Sequence, residues 1–288
     1  MARWDRLSSR GRVDDRRGLG GGGIAIGGLG GVGLIIYLLV TLLGGGGGGL
    51  DQIFDQLSPA QAPSQGVQPE EFQGEDDYEV FVSTVLGSTD ETWHAIFQAW
   101  GRTYEEPELV LFRGATQSAC GGATSAVGPH YCPLDRKIYL DETFFDELTT
   151  RFGAQGGDVA EAYVIAHEVG HHVENLLGIL PEVQQAQQAA RSQAEANDLS
   201  VRLELMADCF AGVWAHSLRD AGVFEPGEIR EAIDAAEAVG DDRIQERVQG
   251  QTNPETWTHG SAEQRVSWFT RGWEQGDPGA CDTFADLR

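Results

Sequence analysis

His167, Glu168 and His171 form the pattern His-Glu-x-x-His. On a helix, residues four apart share a face, with Cβ atoms about 6 Å apart. Two imidazoles so placed can converge on one zinc ion at about 2.0–2.1 Å. Glu168 lies one step, about 100°, around from His167, so it can point past a metal toward a water molecule and take its proton. Two further acids, Glu204 and Asp208, are also four apart. A catalytic zinc keeps three protein ligands and one open position for water, and Glu204 would complete that set of three. Asp208, one turn on, would accept the free N–H of a ligand histidine and fix its tautomer. A competing reading pairs Glu204 on the surface with Arg202 or Arg247. The apolar neighbours Leu205, Met206, Ala207, Phe210 and Trp214 count against it, because unpaired carboxylates are costly to bury.

Other candidates carry less. His259 stands in a loop ahead of Arg265, Trp268 and Phe269, where it could donate to a developing oxyanion or simply cap and pack. His172 faces about 100° away from His171 and is expected to be a hydrogen-bonded structural residue. Tyr131 and Tyr139 are alternative donors. His94 and His216 read as structural.

The elements that must position these groups follow from local signals. Asp158 with Glu161 marks a helix start, Gly178 a stop, and Ala162, Val164, Ile165, Ala166 and Val169 an apolar body that would bury the motif. A second helix beginning near Ser200 carries Glu204 and Asp208. Ser88-Thr89-Asp90-Glu91 reads as a capping box opening a helix through Trp93, Ile96 and Trp100. Leu109–Phe112 and Lys137–Leu140 read as short strands, the second followed by a helix from about Asp141 to Phe152, and its edge could receive a substrate main chain. The remainder reads as helices broken at Gly178–Pro181, near Asn197, at Gly222–Pro226 and at Gly240. The fold class is thus α+β, mostly helical with a small sheet.

Four cysteines, Cys120, Cys132, Cys209 and Cys281, contain no Cys-x-x-Cys pair and in an oxidising compartment would form two disulfides. Of three connectivities, Cys120–Cys132 with Cys209–Cys281 is preferred: the first closes a short Gly-rich loop, and the second ties the chain's end to the active-site helix.

Charge is uneven along the chain. Residues 1–43 hold six arginines against three aspartates, while the whole 288-residue chain is at −25. So acidic a body repels phosphate backbones and argues against a nucleic-acid partner. Ile24–Leu43 is uncharged over 20 residues, about 30 Å as a helix, the thickness of a bilayer core. With arginines before it and none after until Arg102, it predicts an uncleaved single-pass anchor in the cell membrane. The domains would be a cytoplasmic basic head over 1–23, a transmembrane helix over 24–43, a flexible Gly/Pro/Gln-rich tether over 44–75, and an extracytoplasmic metallopeptidase domain over 76–288. Gly23, Gly27 and Gly31 have a small-xxx-small spacing that weakly suggests self-association of the anchor.

Taken together, the acids and histidines resemble the gluzincin pattern, in which His-Glu-x-x-His is completed by a glutamate on a later helix and then an aspartate. More narrowly, the chain resembles the bacterial neutral zinc metallopeptidases. The likeness runs through Thr116–Gly121, Gly128–Pro133, Ile138–Asp141, His167–His172, Glu204–Trp214 and His259–Arg265, and so covers roughly residues 76–288. It implies a zincin-like domain with one catalytic Zn²⁺ that hydrolyses peptide bonds in a peptide or protein substrate, Glu168 acting as general base. The alternative is a non-catalytic extracytoplasmic module, for binding or as an adaptor, stabilised by zinc. An intact Glu168 argues against it, since a structural zinc needs no base and normally takes a fourth protein ligand.

Overall fold

Among the described residues six strands are formed, β1 Arg12–Asp15, β2 Glu108–Phe112, β3 Ala115–Ser118, β4 Gly121–Thr124, β5 His130–Cys132 and β6 Lys137–Asp141. Eight α-helices accompany them among the same residues: α1 Asp77–Ala99, α2 Phe144–Thr150, α3 Asp158–Leu177, α4 Ile179–Ala189, α5 Gln193–Ser217, α6 Ile229–Ala238, α7 Asp241–Gln249 and α8 Ala262–Gln275. This computed structural model describes residues 1–8, 10–17, 76–124, 127–150, 153, 156–225 and 227–287, to which every structural statement below refers. The chain is mostly helical with small sheets, an α+β arrangement.

Strand β2 is apolar at consecutive positions because it is covered on both faces, as inner strands are. Leu109 and Leu111 enter the main core, while Val110 and Phe112 join Ala123, Cys132 and Tyr139 on the other side. The sheet order is β1-β2-β6-β5, with β1, β2 and β6 parallel and β5 antiparallel to β6; β3 and β4 form a separate hairpin. Strand β6 is therefore paired on both sides, and the expectation that it offers an edge is corrected. That edge belongs to β5.

The helices pack around two crossings. Helix α3 runs against α5, and α5 against α8. The second crossing requires glycine on both partners: a Cβ on Gly212 would lie 2.1 Å from the Phe269 carbonyl oxygen, and one on Gly272 2.0 Å from that of Cys209. Cys209–Cys281 locks the same region, and Cys120–Cys132 joins the turn between β3 and β4 to β5, so the preferred connectivity is the one formed.

Three local readings change, the first being that the break expected near Asn197 falls inside α5, which begins at Gln193 and not near Ser200. Helix α1 starts at Asp77, capped by Asp76, which accepts from the Glu79 N–H. Ser88 is thus mid-helix, its hydroxyl donating to the Val85 carbonyl and accepting from Trp214 Nε1. Asp158 does not cap α3. Gly157 takes that position, and the Asp158 carboxylate accepts from the Ala2 N–H and Trp4 Nε1 instead.

The single-pass topology is also corrected. No helix among the described residues is long and apolar enough to cross a membrane, and the segments 24–43 and 44–75 lie outside the described residues. The head is not a separate cytoplasmic piece. Its residues Arg12–Asp15 are strand β1, hydrogen-bonded beside Glu108–Leu111. Ala2 and Val13 are buried, and the Gly11 N–H donates to the Ser83 carbonyl. Arg17 donates to Asp15, Glu142 and Asp76. Residues 17 and 76 therefore touch, on one side of any boundary, whereas a single crossing between them would put the head and body on opposite sides.

Candidate metal centre

Helix α3 buries the motif face because Val159, Ala162, Ile165, Ala166, Val169 and Val173 recur at helical spacing against the core. Its Gly170 passes tightly over α5, where a Cβ would meet the Ala207 Cα at 2.9 Å. That approach brings the start of one α5 turn under the imidazoles. Glu204 Oε2 lies 3.2 Å from His167 Nε2, and Glu204 Oε1 lies 3.5 Å from His171 Nε2. One ligand atom from each of the three lies within 4.8 Å of the others.

Both rings are turned by their other nitrogen. His167 Nδ1–H donates to Asp208 Oδ1 at 2.9 Å, and His171 Nδ1–H to Glu174 Oε2 at 2.8 Å. Each Nε2 is left facing Glu204. Two neutral imidazoles and a carboxylate, each histidine steadied by an acid, are the donor set zinc takes in hydrolytic sites, so these residues fit the ion.

Asp208 is fully buried and saturated. Besides His167 it accepts from Tyr163 Oη at 2.6 Å and from Arg265 Nε and Nη2 at 2.8 and 2.9 Å. Burial opposes its ionisation, yet Arg265 and His167 bring its pKa down to about 2. For Glu204 burial is likewise outweighed, by His259, His171 and His167, and its carboxyl is held well below the usual range. Burial would push His167 toward neutrality, but Asp208 and Glu204 raise it to about 9. His171 moves upward too, with Glu174 and Glu204 overcoming its burial. Burial lifts Glu174 to about 7 against the pull of His171. The carboxylates around the rings thus favour positive charge at this point, which protons or a divalent ion can supply.

Glu168 is 6% exposed and lines the same cleft, and no hydrogen bond or ion pair ties its carboxylate to another described residue. His259 lines it as well. Asp241, at the start of α7, accepts from the backbone N–H groups of Thr258, His259 and Gly260 with one oxygen and approaches His259 Nδ1 at 3.3 Å with the other. Burial opposes a charge on His259, while Glu204 and Asp241 raise its pKa.

The remaining candidates are committed elsewhere. His172 is fully buried, with Nε2–H donating to the Glu105 carbonyl and Nδ1 3.0 Å from the Tyr131 hydroxyl, which also accepts from Asn175. Tyr139 donates to Asp135. Arg202 pairs with Asp198 and Asp286, not Glu204. Sequence reasoning missed Glu174, Tyr163 and Asp241, and named Arg265 only as part of the helix after His259 and of a matching segment. Glu174 and Tyr163 had a signal, lying three after His171 and four before His167 on one helix face. Asp241 had none, being on a different element from the loop it holds.

A helix bearing His-Glu-x-x-His is thus crossed by a second helix bearing Glu and Asp, and together they bring three side chains that could hold a metal ion to one point. The chain belongs to the family described as "Putative neutral zinc metallopeptidase", whose profile matches residues 2–284. It is 46% identical over 291 residues to the uncharacterized protein YpfJ of Escherichia coli (strain K12), covering 98% of each chain. It is 48% identical over 219 residues to the uncharacterized proteins Mb2605 of Mycobacterium bovis and Rv2575 of Mycobacterium tuberculosis, covering 72% of this chain and 73% of theirs. No solved structure matches the chain.

Proposed function

We propose that this chain is a zinc-dependent peptidase in which His167, His171 and Glu204 hold one metal ion and Glu168 is the general base. The observation that carries the reading is the pair of rings whose Nδ1 atoms are held by Asp208 and Glu174 while both Nε2 atoms face Glu204. Bound there, zinc supplies Lewis acidity to a substrate carbonyl and makes water acidic enough to lose a proton near neutral pH.

The protein's own groups do the rest. Glu168, in the cleft and otherwise unpaired among the described residues, takes a proton from the attacking water. The oxygen of that water bonds to the carbonyl carbon. The C–N bond then breaks as Glu168 returns the proton to the leaving nitrogen, so one water is consumed per bond cut. His259, steadied by Asp241, donates to the oxyanion that develops on the carbonyl oxygen. Arg265 and Tyr163 hold Asp208, and through it the His167 ring.

Glu168→Gln tests the assignment: zinc content stays at the wild-type level while peptide hydrolysis falls below detection. A variant that keeps hydrolysing, or that loses its metal, removes Glu168 from this role.

A further inference from the structure

The cleft over this site encloses about 600 Å³, and its character changes between floor and walls. Among the described residues, the titratable or charged side chains lining it other than tyrosine and disulfide cysteine are His167, Glu168, His171, Glu204, His259 and Arg265 about the metal site, and His130 on β5, whose Nδ1 lies 3.1 Å from the Gly128 carbonyl oxygen. Most of these are already engaged. Arg265 is buried against Asp208, His259 lies against Asp241, and Glu204 faces both imidazoles. The walls instead present Leu134, Phe144, Val164, Leu180, Leu203 and Ile244. Leu134, in the turn between β5 and β6, is 75% exposed at the mouth, one of only a few large apolar side chains among the described residues left so open.

Such walls reject charge. A free α-ammonium or α-carboxylate, or an acidic or basic side chain, would surrender its hydration against these apolar side chains, away from the Glu168 carboxylate that faces the attacking water, which is costly. A leucine- or phenylalanine-sized side chain would instead gain burial of apolar surface on both partners.

From this we infer, on the basis of the peptidase reading above, that the cleft accepts internal stretches of polypeptide and selects a bulky apolar side chain beside the scissile bond. The substrate class is extended or unfolded segments rich in Leu, Phe and similar residues. Neither chain end is recognised, so the activity is that of an endopeptidase.

The test uses the full chain loaded with zinc and a set of internally quenched peptides. They differ only in the residues flanking the central bond (Leu, Phe, Asp or Lys), each made with free ends and with acetylated, amidated ends. We expect kcat/KM for the Leu and Phe peptides to exceed that for Asp and Lys by on the order of tenfold or more, with blocked and free peptides cut alike. Glu168→Gln, read by fluorescence anisotropy without turnover, binds the peptides in the same order. Leu134→Asp, at an exposed position that leaves the circular dichroism unchanged, lowers kcat/KM several-fold for the Leu and Phe peptides only. Equal binding and cleavage of charged peptides, or a requirement for a free terminus, overturns the inference. If no peptide is cut yet Glu168→Gln still binds the apolar ones selectively, the hydrolytic reading fails while the selectivity stands. If nothing is cut and nothing binds, both fail.

Discussion

Gly170 lies so close to Ala207 that a Cβ added to it would sit 2.9 Å from the Ala207 Cα. The contact marks where the helix carrying both imidazoles crosses the helix carrying Glu204 and Asp208, and it sets the distance across which the three candidate ligands meet. Gly170→Ala forces these helices apart. Overpacking of this kind costs about 1–3 kcal/mol, read as a lower urea midpoint, and zinc affinity should fall with it because Glu204 moves as α5 moves. An unchanged zinc Kd in a destabilised variant would show that the crossing supports the fold but not the site.

Glu174 and Asp208 are predicted to act on metal affinity through the rings they hold. Glu174→Gln and Asp208→Asn each remove an acceptor from a histidine Nδ1–H. Losses of about 10–100-fold in zinc affinity are expected for changes of this kind, measured by competition with a chromophoric chelator. Asp208→Asn should also destabilise the protein, because it leaves the buried Arg265 without its counter-charge. Glu174→Gln should not.

The pH dependence of the metal-free and metal-loaded protein should run in opposite directions. His167 is raised to about 9 by Asp208 and Glu204 against the effect of burial. A raised pKa in the folded state contributes stability that is fully present below the unfolded value, near 6.5 for histidine. It is lost as pH climbs through about 9. The chelator-treated protein should therefore show a falling Tm between pH 7 and 9.5. Zinc must displace that proton, so its affinity should rise over the same window, by roughly tenfold per pH unit for each proton released. Isothermal titration in buffers of different ionisation enthalpy counts the protons.

The N-terminal strand gives a test that does not involve the metal. Val13 is 3% exposed and pairs beside Leu109 in the sheet. Val13→Asp places an unpaired carboxylate in the core and should cost about 3 kcal/mol or more, seen in urea unfolding. Arg10→Ala, at an exposed position in the same segment, should cost little. Equal, small effects from both would mean that the first residues do not belong to the folded body.

Much of the site was legible from the chain because its information is local. His167 and His171 share one helix face, and Glu204 and Asp208 share another, so spacing alone brings each pair to one side. The apolar run at Leu109–Phe112 announced a strand, and the four cysteines paired in the preferred way. What could not be read depends on distant contacts. Arg12–Asp15 looks like part of a charged head, and only its pairing with Glu108–Leu111 makes it a strand. Ser88–Glu91 matches a capping box letter for letter, yet the helix continues through it because Ser88 serves Trp214 from another helix. An uncharged run at 24–43 satisfies a membrane rule based on length and polarity, a rule that takes no account of where the flanking residues fold. Here Arg17 and Asp76, on either side of it, meet at 2.6 Å.

Anomalous diffraction at the zinc edge, on crystals of the zinc-loaded chain, tests the central claim most directly. The account predicts one peak within about 2.0–2.2 Å of His167 Nε2, His171 Nε2 and a Glu204 carboxylate oxygen. A peak held by other residues, or a fully loaded crystal with Glu204 turned away from the ion, would contradict it.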